Sequence, residues 1–127
     1  MLFSTNLRNA GAAMVALALL GGTLAAAAQA PAKGDAVAGG KMFKVKCIAC
    51  HKPDGSGGVK LTGNATPNWK DPKTWADPKR KVMDAYLRDC ITNGKAKSGM
   101  VAWGKTGQIK PAEIENLIAY IHVLAKK

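Results

Sequence analysis

The chain has 127 residues, enough for one small domain, and carries 19 Lys and Arg against 8 Asp and Glu, a formal net charge of +11 at pH 7. This positive charge favours association with acidic surfaces but does not identify a partner. Nucleic acid is excluded as an expected partner, because no basic stripe with interleaved aromatic residues appears in the sequence. A chain of this size builds only a modest core, so a buried prosthetic group would contribute strongly to its stability.

Residues 1–28 have the organisation of a secretory signal peptide. One basic residue, Arg8, precedes an uncharged stretch rich in Ala, Leu and Gly, and small residues close the segment. Cleavage is expected after Ala28, because a cut after Ala30 would leave Pro31 beside the scissile bond. Export to the periplasm, without membrane insertion after cleavage, is therefore expected; retention as an uncleaved anchor is the alternative.

The remaining sequence is expected to divide into a linker, residues 29–34, and one domain, residues 35–127. The fold class is expected to be all-α, because no alternation of apolar and polar residues persists long enough to indicate a strand. Asp35 is suited to cap the first of three main helices, which is expected to run towards Cys50.

Two further main helices are expected, each after a long loop. Asp77-Pro78 signals the start of the second helix, which Gly94 ends, and Pro111 opens the last helix, whose apolar residues form an amphipathic stripe. A short helical turn is also expected at Asp71-Pro72. Loops of this length are unusual in a compact domain unless they wrap around a ligand.

The most informative feature is the C-x-x-C-H run of Cys47, Cys50 and His51, which is the attachment signature of a c-type haem. Two Cys residues three positions apart share one face of a helix, so both sulfur atoms can reach the two vinyl groups of one macrocycle. The adjacent His51 then offers an imidazole nitrogen to the iron. One covalently bound haem c is therefore expected in the domain.

A second axial ligand must come from elsewhere in the domain. Met100 is preferred, because it stands in a loop bounded by glycines and a thioether held by a loop can reach over the ring. Met42 lies only five residues before Cys47, too close in the chain to reach the opposite face of the haem. Met83 lies on the apolar side of a helix, where a role in the core is expected. His122 is the alternative, but a partly exposed structural role is expected for it.

Ligation by His and Met favours ferrous iron and leaves no open position for a substrate, which indicates electron transfer rather than catalysis. Three alternatives stay open. Cys47 and Cys50 would serve a thiol–disulfide oxidoreductase, although no βαβ pattern is visible. A zinc site formed by Cys47, Cys50, His51 and Cys90 is the second alternative, although their spacing is not a usual one for zinc ligands. The third is a haem protein with a labile sixth ligand, which would bind small ligands. Cys90 itself is expected to be a small buried apolar residue.

The domain resembles a class I cytochrome c, a small soluble mono-haem protein, over about residues 35–126. The residues that carry the resemblance are Gly40, Phe43, Cys47, Cys50, His51, Met100, Leu117 and Tyr120. In that family the first and last helices cross closely, with a glycine and an aromatic residue on one and a Leu-x-x-aromatic pair on the other. The resemblance implies the cytochrome c fold, with three main helices and long loops wrapped around one covalent haem. It also implies covalent attachment at Cys47 and Cys50, and axial ligation of the iron by His51 and Met100.

The sequence departs from the family pattern in two places. Val101 follows Met100 where the family often has Pro. The loop after the motif reads Gly57-Gly58 where the family often has a Gly-Pro whose carbonyl orients the axial imidazole. The residue that orients His51 is therefore left open by the sequence.

The resemblance implies a non-enzymatic carrier that shuttles single electrons between periplasmic or membrane redox partners of a respiratory chain. The expected partner is an acidic-surfaced redox protein, either a terminal oxidase or a periplasmic dehydrogenase, and the carrier is expected to be a monomer. A haem c subunit or domain partner of a larger dehydrogenase or oxidase complex is the alternative. Positive charge is expected at the rim of the haem site. The lysines that flank the motif and the methionine loop are Lys46, Lys52, Lys95, Lys97 and Lys105.

Overall fold

The computed structural model describes residues 33–80 and 83–126. The predicted signal peptide, residues 1–28, lies outside the described residues, as do most of the linker, Lys81, Val82 and Lys127. Within the two described segments, no helix combines the length and the hydropathy that crossing a membrane requires.

The domain is all-α, as predicted. The two described segments contain no β-strand, and their only β-type pairing is an isolated antiparallel bridge between Lys95 and Met100. The helices in these segments are α1 (Ala36–Lys46), α2 (Ile48–His51), α3 (Pro72–Ala76), α4 (Met83–Asn93) and α5 (Pro111–Ala125), with 3₁₀ turns at Pro78–Arg80 and Ala96–Ser98.

The first predicted helix is divided into two. Asp35 caps α1 as expected, because its Oδ1 accepts hydrogen bonds from the N–H groups of Val37 at 2.8 Å and Ala38 at 3.2 Å. The helix is interrupted at Cys47 and resumes as α2, where the N–H of His51 donates to the Cys47 carbonyl at 2.9 Å. The C-x-x-C-H run therefore forms a helical turn of its own.

The second predicted helix also differs in its first turn. Pro78 begins a 3₁₀ turn, and regular α-helix is described only from Met83 onwards. Gly94 follows the end of α4 with a φ of +69°, the left-handed conformation that suits a glycine after a helix. The short helix after Asp71 and the last helix from Pro111 begin where the sequence predicted.

Helices α1 and α5 cross at very close range. A Cβ atom at Gly39 would overlap with the backbone carbonyl of Asn116, so the two backbones touch at this point. Gly40 faces the ring of Tyr120, which in turn packs against Phe43 with ring centroids 5.3 Å apart. The close crossing that the resemblance implied is present, with Gly39 rather than Gly40 at the nearest backbone approach.

The apolar core lies against this helix pair. Phe43, Ile109 and Leu117 have almost no exposed surface, and burial of each such side chain contributes roughly 1.5–3 kcal/mol. The other buried apolar residues of the core cluster are Trp69, Leu87, Ile91, Ile114, Ile118, Ile121 and Leu124. Helix α4 is also joined to α5 by the guanidinium of Arg88, which donates to both carboxylate oxygens of Glu115 at 2.5 and 2.8 Å. The two long loops connect α2 to α3 and α4 to α5.

Candidate functional site

A cavity of about 540 Å³ is walled by the C-x-x-C-H turn, helix α4 and both long loops. Small-molecule and cofactor sites have volumes of about 300–1,000 Å³ and are mostly apolar. The cavity brings together all four residues that the sequence predicted for the site, Cys47, Cys50, His51 and Met100.

Cys47 and Cys50 are not joined by a disulfide bond. Burial raises the pKa of the Cys47 thiol to about 11. A thiol–disulfide oxidoreductase needs a thiolate, and its reactive Cys has a lowered pKa. The raised pKa of Cys47 therefore disfavours the thiol–disulfide oxidoreductase alternative.

The imidazole of His51 is neutral at neutral pH, because burial lowers its pKa to about 4. A neutral imidazole has the lone pair that a metal ligand requires. The ring stacks on Trp69 with centroids 4.6 Å apart and an interplanar angle of 10°. Its buried Nδ1 has no hydrogen-bond partner among the residues that the structure describes. A neutral imidazole beside two thiols in an apolar cavity fits the requirements of a haem c.

Thr66 is a residue of this site that the sequence analysis missed. Its Oγ1 donates to the carbonyl of Cys50 at 2.8 Å and accepts from the N–H of Val59 at 3.1 Å. Thr66 and the following Pro67 both line the cavity. Gly57, with a φ of +58°, is so close to the Pro67 carbonyl that a Cβ there would overlap with it. The loop after the motif therefore folds back onto the motif.

Met100 is held in a tightly closed loop. The N–H of Met100 donates to the carbonyl of Lys95, and the N–H of Lys95 donates to the carbonyl of Met100, both at 3.1 Å. Gly94 and Gly99 bound this loop with φ values of +69° and +79°, which other residues adopt only with strain. The backbone position of Met100 is therefore fixed, and its half-buried side chain lines the cavity.

The other candidate ligands lie in different surroundings. Met83 lines the same cavity and packs against the core, and Met42 packs against the core as well. His122 is partly exposed, as predicted, with its Nε2 2.6 Å from Oδ1 of Asp84. Cys90 is buried, as predicted. No group of three or more His, Cys, Asp or Glu side chains that could hold a metal ion occurs in residues 33–80 or 83–126, so the zinc alternative finds no ligand set there.

One wall of the cavity carries cationic side chains. The Arg80 guanidinium lies 5.2 Å and the Lys95 ammonium 5.3 Å from the ring centroid of Tyr86, and all three residues line the cavity. Cations at these distances are attracted to the electron-rich face of the ring. Both cations are also paired with carboxylates, Arg80 with Asp77 at 3.6 Å and Lys95 with Asp89 at 3.1 Å, so part of the charge of this wall is offset.

The mouth of the cavity combines exposed apolar residues with lysines. Leu61 and Val101 are 60% and 42% exposed, and both line the cavity. Lys46 and Lys97 line it as well, and Lys46 Nζ lies 5.0 Å from the ring centroid of Trp103. We call the surface formed by Leu61, Val101, Lys46 and Lys97 the cavity mouth.

Three of the lysines expected at the rim are placed differently from this expectation. Lys95 lines the cavity, but its ammonium donates to Oδ2 of Asp89 at 3.1 Å, which offsets part of its charge. Lys52 and Lys105 are exposed without lining the cavity. The positive charge of the rim therefore rests mainly on the lysines of the cavity mouth.

The sequence matches the model of a protein family described as cytochrome c oxidase, cbb3-type, subunit III, over residues 34–121. The chain is 36% identical over 90 residues to the cbb3-type cytochrome c oxidase subunit FixP of Bradyrhizobium sp. (strain ORS 278), an alignment that covers 71% of this chain and 28% of that protein. It is 33% identical over 90 residues to the subunit of the same name from Bradyrhizobium diazoefficiens, again over 71% of this chain and 28% of the relative. The chain thus spans less than a third of the length of these curated relatives. No solved structure shows significant similarity to it.

Proposed function

The chain belongs to the family of cytochrome c oxidase, cbb3-type, subunit III, and from this premise we propose that it is an electron carrier with a single covalent haem c. In this proposal Cys47 and Cys50 hold the haem through two thioether bonds, and His51 and Met100 are the axial ligands of its iron. The observation that supports it most directly is that these four residues, from two separate parts of the sequence, line one apolar cavity. When bound, a haem c supplies an iron that takes up and releases one electron.

The residues around the cavity suit this role because they are held in place. Thr66 ties the loop after the motif to the carbonyl of Cys50, and the paired hydrogen bonds between Lys95 and Met100 close the second loop. A site whose ligands move little between two oxidation states exchanges electrons readily. The neutral thioether of Met100 favours the ferrous state and would raise the reduction potential.

We propose a terminal oxidase as the redox partner, because both relatives are named as subunits of a cbb3-type cytochrome c oxidase. The same relatives favour a second candidate function, in which the chain is a haem c subunit of a larger oxidase complex. The proposed location is the periplasm in either case. Sedimentation of the protein purified from its own host distinguishes the two: a carrier sediments as a monomer, whereas a subunit co-sediments with oxidase activity.

The ligand assignment is tested by replacing each of the two cavity methionines. In Met100→Ala, the sulfur–iron charge-transfer band of the ferric protein should disappear, and the ferrous protein should bind carbon monoxide. The matched variant Met83→Leu should keep the band and exclude carbon monoxide. Loss of the band in Met83→Leu alone would show that the assignment of Met100 is wrong. Carbon monoxide binding by the untreated ferrous protein would favour a ligand-binding haem protein instead.

A further inference from the structure

The imidazole of His51 lies flat on the indole of Trp69, with ring centroids 4.6 Å apart and planes 10° from parallel. A histidine that binds a metal almost always donates its second ring N–H to an acceptor, and that bond orients the ring. Here Nδ1 of His51 is buried without a hydrogen-bond partner among the described residues. Among the described residues, the contacts that orient this imidazole are therefore packing contacts.

We propose that Trp69 is the positioning residue of the axial histidine and that it sets the plane of the His51 ring by stacking. The proposal rests on the proposed function, in which His51 ligates the haem iron. Trp69 also lines the cavity, and the role proposed for it is exerted through His51. Offset stacking is a favoured geometry for such ring pairs, because it brings the electron-rich face of one ring over the positive edge of the other.

Trp69 is suited to this role because its own position is fixed from several sides. The side chain is only 4% exposed, and its ring packs against Phe43 with centroids 5.9 Å apart. Its backbone N–H donates to the carbonyl of Gly55 at 3.0 Å, and its carbonyl accepts from the indole Nε1 of Trp75 at 2.6 Å.

Gly55 also leaves room for the indole of Trp69. A Cβ atom at Gly55 would come within 3.2 Å of the indole, and the φ of +74° at Gly55 suits a glycine. The position of the indole is therefore fixed, and a ring that stacks on it is held in a parallel plane.

The plane of an axial imidazole and the orientation of an axial methionine sulfur together determine which iron d orbital holds the unpaired electron of the ferric protein. The direction of the imidazole plane is therefore visible in two spectra, the pattern of haem-methyl shifts in proton NMR and the largest g value in electron paramagnetic resonance. A substitution that leaves the imidazole plane and the methionine sulfur in place should leave both signals close to wild type. These spectra separate positioning from packing.

The first experiment needs no variant. In the ferric holoprotein, nuclear Overhauser contacts should join the ring protons of His51 and Trp69. The haem-methyl shifts should give an imidazole plane parallel to the indole. Absence of these contacts, or a plane that is not parallel, would overturn the proposal.

The second experiment compares three variants of the full-length holoprotein. Trp69→Leu removes the flat partner and should shift both the methyl pattern and the largest g value, while the sulfur–iron charge-transfer band persists. Trp69→Phe keeps a flat ring and should stay close to wild type. The control is Tyr120→Leu, which removes an aromatic ring that packs on Phe43 but does not itself line the cavity. It should lower stability and leave both spectra unchanged.

Failure of this proposal can be told apart from failure of the proposed function. A wild-type protein without the low-spin spectrum of a His-ligated ferric haem would contradict the function itself. A normal wild-type spectrum that Trp69→Leu leaves unchanged would overturn only the positioning role. The same conclusion would follow if Tyr120→Leu shifted the spectra as far as Trp69→Leu did. If Trp69→Leu fails to fold with haem, the comparison of Trp69→Phe with wild type and the wild-type imidazole plane decide the question, and a plane that is not parallel to the indole overturns the proposal.

Discussion

Oγ1 of Thr66 donates a 2.8 Å hydrogen bond to the carbonyl of Cys50, a residue 16 positions earlier in the chain. The same oxygen accepts from the N–H of Val59 at 3.1 Å, and the Thr66 carbonyl accepts from the N–H of Gly58 at 2.9 Å. One side chain thus joins the loop after the motif to the helical turn that carries both thiols. The wall of the cavity depends on this connection.

Thr66→Val should therefore destabilise the holoprotein by about 1–3 kcal/mol, because a partly buried carbonyl and a partly buried N–H both lose their partner. Urea denaturation followed by circular dichroism measures the change in the free energy of unfolding. The matched control is Thr62→Val, which removes one exposed hydrogen bond, of 2.9 Å to the Lys97 carbonyl. Its effect should stay within about 0.5 kcal/mol. Equal losses in the two variants would contradict the structural role of Thr66.

Gly39→Ala should lower stability even though alanine is the better helix former by about 1 kcal/mol. The new methyl group would overlap with the backbone carbonyl of Asn116, so α1 and α5 must move apart. Overpacking of this kind costs typically about 1–3 kcal/mol. Thermal unfolding of the holoprotein measures the loss. The comparison variant is Gly40→Ala, whose methyl group meets the ring of Tyr120 rather than a backbone, and its loss should be smaller. A Gly39→Ala protein as stable as wild type would contradict the close crossing.

The haem should stay with the polypeptide when the protein is extracted with acid–acetone, because the proposed thioether bonds are covalent. The double variant Cys47→Ser with Cys50→Ser should give little folded protein, since this small core would lose its centre. The control is Cys90→Ala, which should keep the haem attached. If extraction removes all the haem from the wild-type protein, covalent attachment is wrong.

Electron transfer to an acidic partner should slow as salt is added, because screening shortens to roughly 8 Å at physiological ionic strength. The cavity mouth carries Lys97, which is exposed, whereas Lys126 follows the end of α5. Lys97→Glu should therefore slow the encounter more than Lys126→Glu, although both change the net charge equally. Stopped-flow mixing with the proposed partner, a terminal oxidase, repeated over a series of salt concentrations, measures both effects.

Two outcomes would contradict this docking prediction in different ways. Equal encounter rates for Lys97→Glu and Lys126→Glu would show that the rate depends on net charge and not on the position of the charge. A rate that does not depend on salt would exclude electrostatic steering altogether. Lys52→Glu is a useful third variant, because Lys52 is exposed next to the motif without lining the cavity. An encounter rate between those of Lys97→Glu and Lys126→Glu would indicate that the effect of a charge falls with its distance from the cavity mouth.

The features that the sequence determined by itself are short-range. Asp35 caps α1 and Pro111 opens α5, because capping and helix initiation depend on groups within one turn of the backbone. The spacing of Cys47, Cys50 and His51 predicted a shared site for the same reason. Met100 was preferred for its loop context, and the structure places it in the cavity with these three residues.

Only the tertiary structure decided the contacts between distant parts of the chain. It placed Gly39 rather than Gly40 against the backbone of α5, because the crossing point depends on how two whole helices pack. It joined Thr66 to Cys50 and stacked Trp69 on His51, and no local pattern predicts either pair. Such contacts depend on the path of a long loop. That path is selected by burial of the whole core and by satisfaction of its backbone hydrogen bonds, not by the loop's own propensities.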